Sequence, residues 1–371
     1  MVSTDSIVIR NPKKLKTETI NAERIPIGLP GDYKPCIAML PDGELLLVAF
    51  FCDSAGKENG YREDIIMFRS KDGGRTWSQR EITEITGREP YFSILKDGTI
   101  FVTTHLLKND IRNKEGYCYS YIYRSVDGGC SWEETAIRSE DNEEEPKSWT
   151  LTTRNVLELN DGSLIFGVSG MKNNFTWISN DKGKRWKKNR CGIEMIPAGY
   201  PFPAQAETFL WQTPKGRVIA LYRVDNKYFA FKRKPLEGGL IDHFESMVIY
   251  ETKDKGVSWE FIDVIGAYGQ MYPHLMKLKD GRILLTYTQR AMDPELGVRA
   301  VIVDEDGAGV CFDFENDVLV IDRKTPGGML SGGGFGPTVQ TGDGTLLTSY
   351  SYRGADDNFH MEVARWELPE L

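Results

Sequence analysis

The residue types most able to do chemistry recur at fixed places along this chain. Eight residues before each of six short turns stand Lys34, Glu89, Thr153, Glu207, Tyr272 and Phe335. One residue later come Pro35, Pro90, Arg154, Thr208, Pro273 and Gly336. At or just beyond the end of the strand that follows the turn come Asp53, His105, Arg223, Arg290 and Arg353. Charges close to one axis are costly unless paired or solvated, so this is not how a core is filled. Gathered at one point, the lysine and arginines would hold an anion through charge-assisted hydrogen bonds, and the carboxylates would move protons. The competing reading is an ion-pair network that only ties strands together.

The turns that set this register are an internal repeat. Asp-Gly lies between two alternating apolar runs at Asp42-Gly43, Asp97-Gly98, Asp161-Gly162, Asp280-Gly281 and Asp343-Gly344, and Lys215-Gly216 is a weaker copy. Each copy marks a hairpin of two antiparallel strands. The spacing, 54 to 65 residues, leaves room for about four strands per repeat, the content of one propeller blade. A second repeat follows the first: Ser70 to Trp77 (SKDGGRTW), Ser125 to Trp132 (SVDGGCSW), Ser179 to Trp186 (SNDKGKRW) and Thr252 to Trp259 (TKDKGVSW), with a degenerate version around Asp304 to Gly307. Here the Asp binds local backbone N–H groups, the Gly takes the strained angle and the Trp packs under the hairpin. These Asp and Trp residues are read as structural.

The sixth repeat has only two strands after its hairpin, near Leu346–Tyr352 and Glu362–Leu368. A strand within residues 5–27 is therefore expected to complete it and close the ring. The reading is one all-β domain over residues 1–371, a six-bladed β-propeller. The inner strands start on the face opposite the hairpin turns. Long loops lie on that same face in repeats one (Asp53–Glu63), two (Leu106–Gly116), four (Val224–His243) and five (Ala291–Val298), and such loops on a rigid scaffold carry recognition.

Composition narrows the partners. A net charge of −8 over 371 residues argues against nucleic acid, which needs a basic footprint. The longest apolar run, Leu45–Cys52, is far too short to cross a membrane as a helix. Six scattered cysteines without a Cys-x-x-Cys spacing read as reduced packing residues, and with only four histidines neither a metal site nor another cofactor is expected. Residues 1–14 lack the features of a signal peptide. The sequence as written is expected to be cytoplasmic, or secreted or periplasmic if a leader was trimmed.

The two repeats resemble the Asp-box, or BNR, repeat of the sialidase (neuraminidase) superfamily, and the resemblance covers essentially the whole chain. It implies a site in which three arginines clamp a substrate carboxylate, a Tyr–Glu pair supplies the nucleophile and an Asp is the acid–base group. Glu207 matches the glutamate and Arg223 the second arginine. Arg290 is a candidate third arginine, with Arg299 as competitor, while Asp53, Glu58 and Asp64 compete for the acid–base place. Two positions depart from the pattern. The first arginine corresponds to Lys34 in Tyr33-Lys34-Pro35-Cys36, since Arg24-Ile25-Pro26 is out of register with the first hairpin. The nucleophilic tyrosine corresponds to Phe335, which has no oxygen with which to attack.

The resemblance implies a sialidase-like glycoside hydrolase or related enzyme acting on a carboxylate-bearing sugar. Glu207 and Glu89 would form its carboxylate pair, with Lys34, Arg154, Arg223 and Arg290 around the substrate carboxylate. Tyr272, His105 and Arg353 are further lining candidates. The alternative is a non-catalytic propeller that binds carbohydrate or another protein.

Overall fold

The computed structural model describes residues 1–53, 60–142, 146–170, 173–193, 208–225, 245–265, 269–290, 296–305, 310–324 and 333–370. It is an all-β propeller in which each repeat is an antiparallel meander. Repeat one comprises Tyr33–Met39, Leu45–Asp53, Arg62–Ser70 and Glu81–Thr86, and repeat two Arg88–Ile94, Ile100–Leu106, Tyr119–Ser125 and Glu133–Ile137. Repeat three has an interrupted inner strand (Thr150–Thr152, Leu157–Glu158), then Leu164–Gly170, Asn174–Ser179 and Lys187–Ile193. Repeat four comprises Phe209–Gln212, Val218–Asp225, Glu245–Thr252 and Ser258–Val264. Repeat five runs Gln270–Lys277, Ile283–Gln289, Gly297–Glu305 and Val318–Val320, and repeat six Gly334–Gln340, Leu346–Arg353 and Phe359–Trp366. The inner strands neighbour one another, and that of repeat six lies against that of repeat one, so the chain curls into a ring.

The N-terminus closes that ring. Thr19–Ile27 pairs with Phe359–Trp366 as the outer strand of repeat six, Pro26 opposite Glu362. Ser3–Arg10 then bridges Thr19–Ile27 and Val318–Val320, sewing repeat six to repeat five. Strands buried on both faces carry near-continuous apolar runs, and neighbouring meanders pack through them. Leu45, Leu47 and Ala49 of repeat one meet Leu347 and Val363 of repeat six, and Phe101 and Ile122 of repeat two meet Phe166 and Trp177 of repeat three.

Each hairpin turn uses its glycine in the left-handed region, φ 83° to 99° from Gly43 to Gly344. The Asp before it keeps an ordinary backbone and acts through its side chain. Asp42 Oδ1 accepts the Glu44 N–H at 3.0 Å, while Gly43 N–H donates to the Leu40 carbonyl at 2.9 Å. The turn therefore needs glycine more than aspartate, which is why Lys215-Gly216 serves equally well. In the second repeat, Asp72 Oδ1 accepts the Arg75 and Thr76 N–H groups, both at 3.0 Å, and Ser70 Oγ accepts that of Gly74. Asp127, Asp181 and Asp254 reproduce the pattern toward Ser131, Arg185 and Ser258. The degenerate copy at Asp304 to Gly307 falls largely outside the described residues.

Arginines fasten these turns to the preceding meander. Arg69 donates to the Gly128 carbonyl at 2.9 Å, Arg124 to that of Lys182 at 2.9 Å and Arg365 to that of Gly73 at 3.0 Å. Each reaches from one repeat into the Asp-bearing turn of the next. Cys36, Cys118, Cys130 and Cys191 are free thiols.

Candidate functional site

The inner strands do not run straight into the channel. Repeats one, two, five and six each carry an extra residue there: after Tyr33 before Cys36, after Arg88 before Tyr91, after Met271 before His274, and after Phe335 before Thr338. Such a bulge re-aims a side chain. In all four the backbone turns left-handed at the position eight residues before the turn: φ is 52° at Lys34, 51° at Glu89, 55° at Tyr272 and 83° at Phe335. Non-glycine residues rarely adopt this region, and strain of this kind collects at functional sites.

The bulges bring these side chains together. Lys34 Nζ pairs with Glu89 Oε1 and lies 3.5 Å from the Tyr272 hydroxyl. It also sits 5.0 Å from the centre of the Phe335 ring. Tyr272 and Phe335 lie ring to ring at 4.8 Å, with the Arg154 guanidinium 4.3 Å from one ring centre and 4.2 Å from the other. Arg154 Nη2 is 3.6 Å from Glu89 Oε2. Its backbone is tied to both neighbours, since Arg154 N–H donates to the Thr208 carbonyl at 2.8 Å and Thr103 donates to the Arg154 carbonyl. Arg290 stands 4.9 Å from the Tyr272 ring centre and donates to the Tyr33 hydroxyl at 3.3 Å. Lys34, Glu89, Arg154, Tyr272, Arg290 and Phe335 are all buried.

Burial alone would raise the Glu89 carboxyl. Lys34, then Arg88, His105 and Arg154, outweigh it and hold Glu89 well below the usual carboxylate range. Lys34 is pushed down to about 7, first by burial and then by Arg290, Arg88 and Arg154, against the pull of Glu89. Glu89 keeps two arginines even when Lys34 is neutral, so the labile proton of this pair belongs to Lys34. His105, opposite Arg88 in the strand register, is pushed down to about 3, chiefly by burial, and is neutral. Ionised, Glu89 pairs with Lys34, Arg88 and Arg154.

Repeats one and two build a wall beside this cluster. Tyr61 bridges to Asp110, and the Ile111 N–H donates to the Tyr61 carbonyl at 2.9 Å. Asp110 accepts the Glu63 N–H at 3.0 Å, and Arg112 binds the Glu63 carbonyl, Asp110 and Asp64. Glu63, held at both ends of its backbone, faces Arg88 with Oε1 at 3.4 Å from Nη1. Sequence reasoning passed over Glu63 and Arg88. Glu63 lies at the start of a third strand and Arg88 one residue before the matched position. The pointer in the chain was the length of the Leu106–Gly116 loop, whose Asp110 and Arg112 hold Glu63.

The remaining candidates are placed as follows. Asp53 is exposed at the end of its strand, opposite Arg62. Asp64 is buried and paired with Arg62 and Arg112. Arg353 pairs with Asp357 and lies 5.7 Å from the Phe359 ring, which stacks on Tyr33 at 4.1 Å. Arg299 sits on a third strand opposite Tyr287 and Val320, and Arg290 lies beside Tyr272 in the cluster. Arg223 is half-buried, and its charge acts on Arg154. Glu207 and Glu58 lie outside the described residues. Among the described residues no group of three His, Cys, Asp or Glu side chains could hold a metal ion.

The ring can be set beside known structures. A Dyadobacter fermentans protein of unknown function matches 99% of this chain and 99% of its own, at 21% identity and a TM-score of 0.68. A Hadza microbial sialidase matches 90% of this chain and 65% of its own at 15% identity and a TM-score of 0.61. An α-L-arabinanase of Penicillium chrysogenum, solved with arabinobiose, matches 100% of this chain and 99% of its own at 15% identity and a TM-score of 0.58. At such identities the likeness is one of fold. No curated protein sequence matches significantly. The model of the BNR repeat-like domain matches residues 31–285. That stretch holds all four Asp-bearing turns and the inner strands of repeats one to five, so the chain belongs to the BNR repeat-like family.

Proposed function

We propose that the chain is a single-domain, six-bladed propeller that hydrolyses, or closely related to hydrolysis transforms, glycans bearing a carboxylate sugar. The observation that carries this reading is the charge balance of the cluster. Among the described residues Lys34, Arg88, Arg154 and Arg290 gather with Glu63 and Glu89, a concentration of cations suited to an anionic ligand. Arg223, whose charge reaches Arg154, adds to it. Glycan-acting enzymes among the structures of similar fold support a carbohydrate over other anions. Glu207, at the family's glutamate position, is the proposed second carboxylate.

Phe335 makes ordinary sialoside hydrolysis the wrong member of this class. The sequence resemblance puts Phe335 at the position of the family's nucleophilic tyrosine, and its ring packs on Tyr272. Screening fluorogenic glycosides of sialic acid, uronic acids and neutral sugars tests the proposal. Uronides are expected to be turned over and sialosides poorly, with Phe335→Tyr raising sialoside turnover. Wild-type turnover of sialosides at the rate of uronides would refute the substrate reading.

A second reading, a non-catalytic glycan-binding propeller, is favoured by the same Phe335 and by Glu89 being taken up by three cations. Binding of acidic glycans without turnover of any glycoside would select it.

A further inference from the structure

One carboxyl of the cluster has no assigned part. Arg88 spans two acids, with Nη1 3.4 Å from Glu63 Oε1 and Nη2 3.3 Å from Glu89 Oε1. Their surroundings differ. Glu89 also has Lys34 and Arg154. The Oε2 of each carboxyl is buried and receives no hydrogen bond, but that of Glu89 has Arg154 Nη2 at 3.6 Å. The groups acting on Glu63 are otherwise mostly acidic or neutral: Asp110 and Glu89 by their charge, Tyr61 and Cys118 close by, and Cys52 opposite in the strand register. Of the cations, Arg112 spends itself on Asp110, Asp64 and the Glu63 carbonyl, and Lys34 belongs to Glu89. Of two carboxyls sharing one guanidinium in such unequal settings, the one with fewer cations holds its proton more tightly, which is how acid and base roles divide.

We propose that Glu63 is the proton donor of this site, and that Glu89 stays ionised to anchor the cations. This rests on the glycosidase reading above. Burial pushes the Glu63 carboxyl up from its ordinary value, with Glu89 and Asp110 adding to the rise against Arg88 and Lys34. In the step, the bond between the anomeric carbon and the leaving oxygen breaks. That oxygen keeps the bonding pair and takes the Glu63 proton. Water then delivers hydroxide to the anomeric carbon and returns its proton to Glu63. The rigid wall through Asp110 and Arg112 is what a proton donor requires, because the transfer demands a fixed position.

The test compares wild type, Glu63→Gln and Glu63→Asp on para-nitrophenyl and methyl glycosides of glucuronic, galacturonic and N-acetylneuraminic acids. A nitrophenolate leaves without a proton, whereas methoxide does not. Glu63→Gln is expected to lose about 100- to 10,000-fold in kcat/KM on the methyl glycoside and to stay within a few-fold on the nitrophenyl one. Glu63→Asp should recover part of the methyl glycoside rate. Equal losses on both substrates, or none on either, would overturn the assignment and leave the proposed function standing. No turnover of either substrate class by the wild type would overturn both.

Discussion

Arg223 is the residue at which structural and ligand-binding roles separate most cleanly. It ends a second strand opposite Met247, is half-buried, and acts by charge on Arg154, which already faces Glu89. If its work were to hold strands together, its loss would show as instability. If it grips a carboxylate, the fold has little need of it, because Arg154 keeps Glu89 as partner. Arg223→Met is therefore expected to melt close to the wild type. Its kcat/KM toward an acidic glycoside, or its affinity for one, should fall by about two or more orders of magnitude, as losing a desolvated charge-assisted contact costs roughly 2–5 kcal/mol. A large melting shift with normal binding would make Arg223 a structural residue. The register found Lys34, Glu89, Tyr272 and Phe335 because identical turns superpose them. It could not foresee Glu63, which depends on hydrogen bonds between two repeats rather than on any spacing within one.

Among the elements, the Asp-bearing turns and the bulged inner strands divide the labour between the two faces. The turns were legible in the chain because their bonds are local: Asp127 accepts the Cys130 and Ser131 N–H groups, both at 3.0 Å, and the Ser131 hydroxyl. Those bonds hold the Asp127 carboxyl well below its ordinary range, led by Ser131. Asp127→Ala strands these donors and loosens the turn that receives Arg69 from repeat one. It is expected to lower the melting temperature by several degrees and to leave kcat/KM and ligand affinity unchanged. A selective loss of binding at an unchanged melting temperature would put function on the turn face. The bulges were not legible. A left-handed Lys, Glu, Tyr or Phe has no local preference for that backbone, and only the ring around it sustains the strain.

For the molecule as a whole, the decisive feature is how the ring is closed. The terminal strand was foreseen from the missing partner of Phe359–Trp366, and Arg24-Ile25-Pro26 lies within it. Arg24 belongs to the seam rather than the channel cluster: it is buried and donates to the Tyr350 hydroxyl at 2.8 Å, which in turn donates to Glu362 at 2.7 Å. Lys324 also binds Glu362, at 2.7 Å. Among them Asp322 is fully enclosed, with Oδ2 free of hydrogen bonds, beside the outer strand of repeat five. Burial pushes its carboxyl up from 3.8 to about 7; Glu362 adds to the rise, while the Lys324 N–H, Arg24 and the Lys324 charge oppose it. Between those values the folded chain keeps a proton that the unfolded chain has released. Its share of the stability is therefore present at the acid end and is lost as pH rises toward 7, at up to about 1.4 kcal/mol per pH unit. Asp322→Asn has no such proton to hold. Urea unfolding at intervals from pH 4 to 7 is expected to show wild-type stability declining against that of Asp322→Asn across the whole window. Parallel curves would mean that Asp322 is ionised in the folded ring, and that Arg24 and Lys324 already compensate its charge.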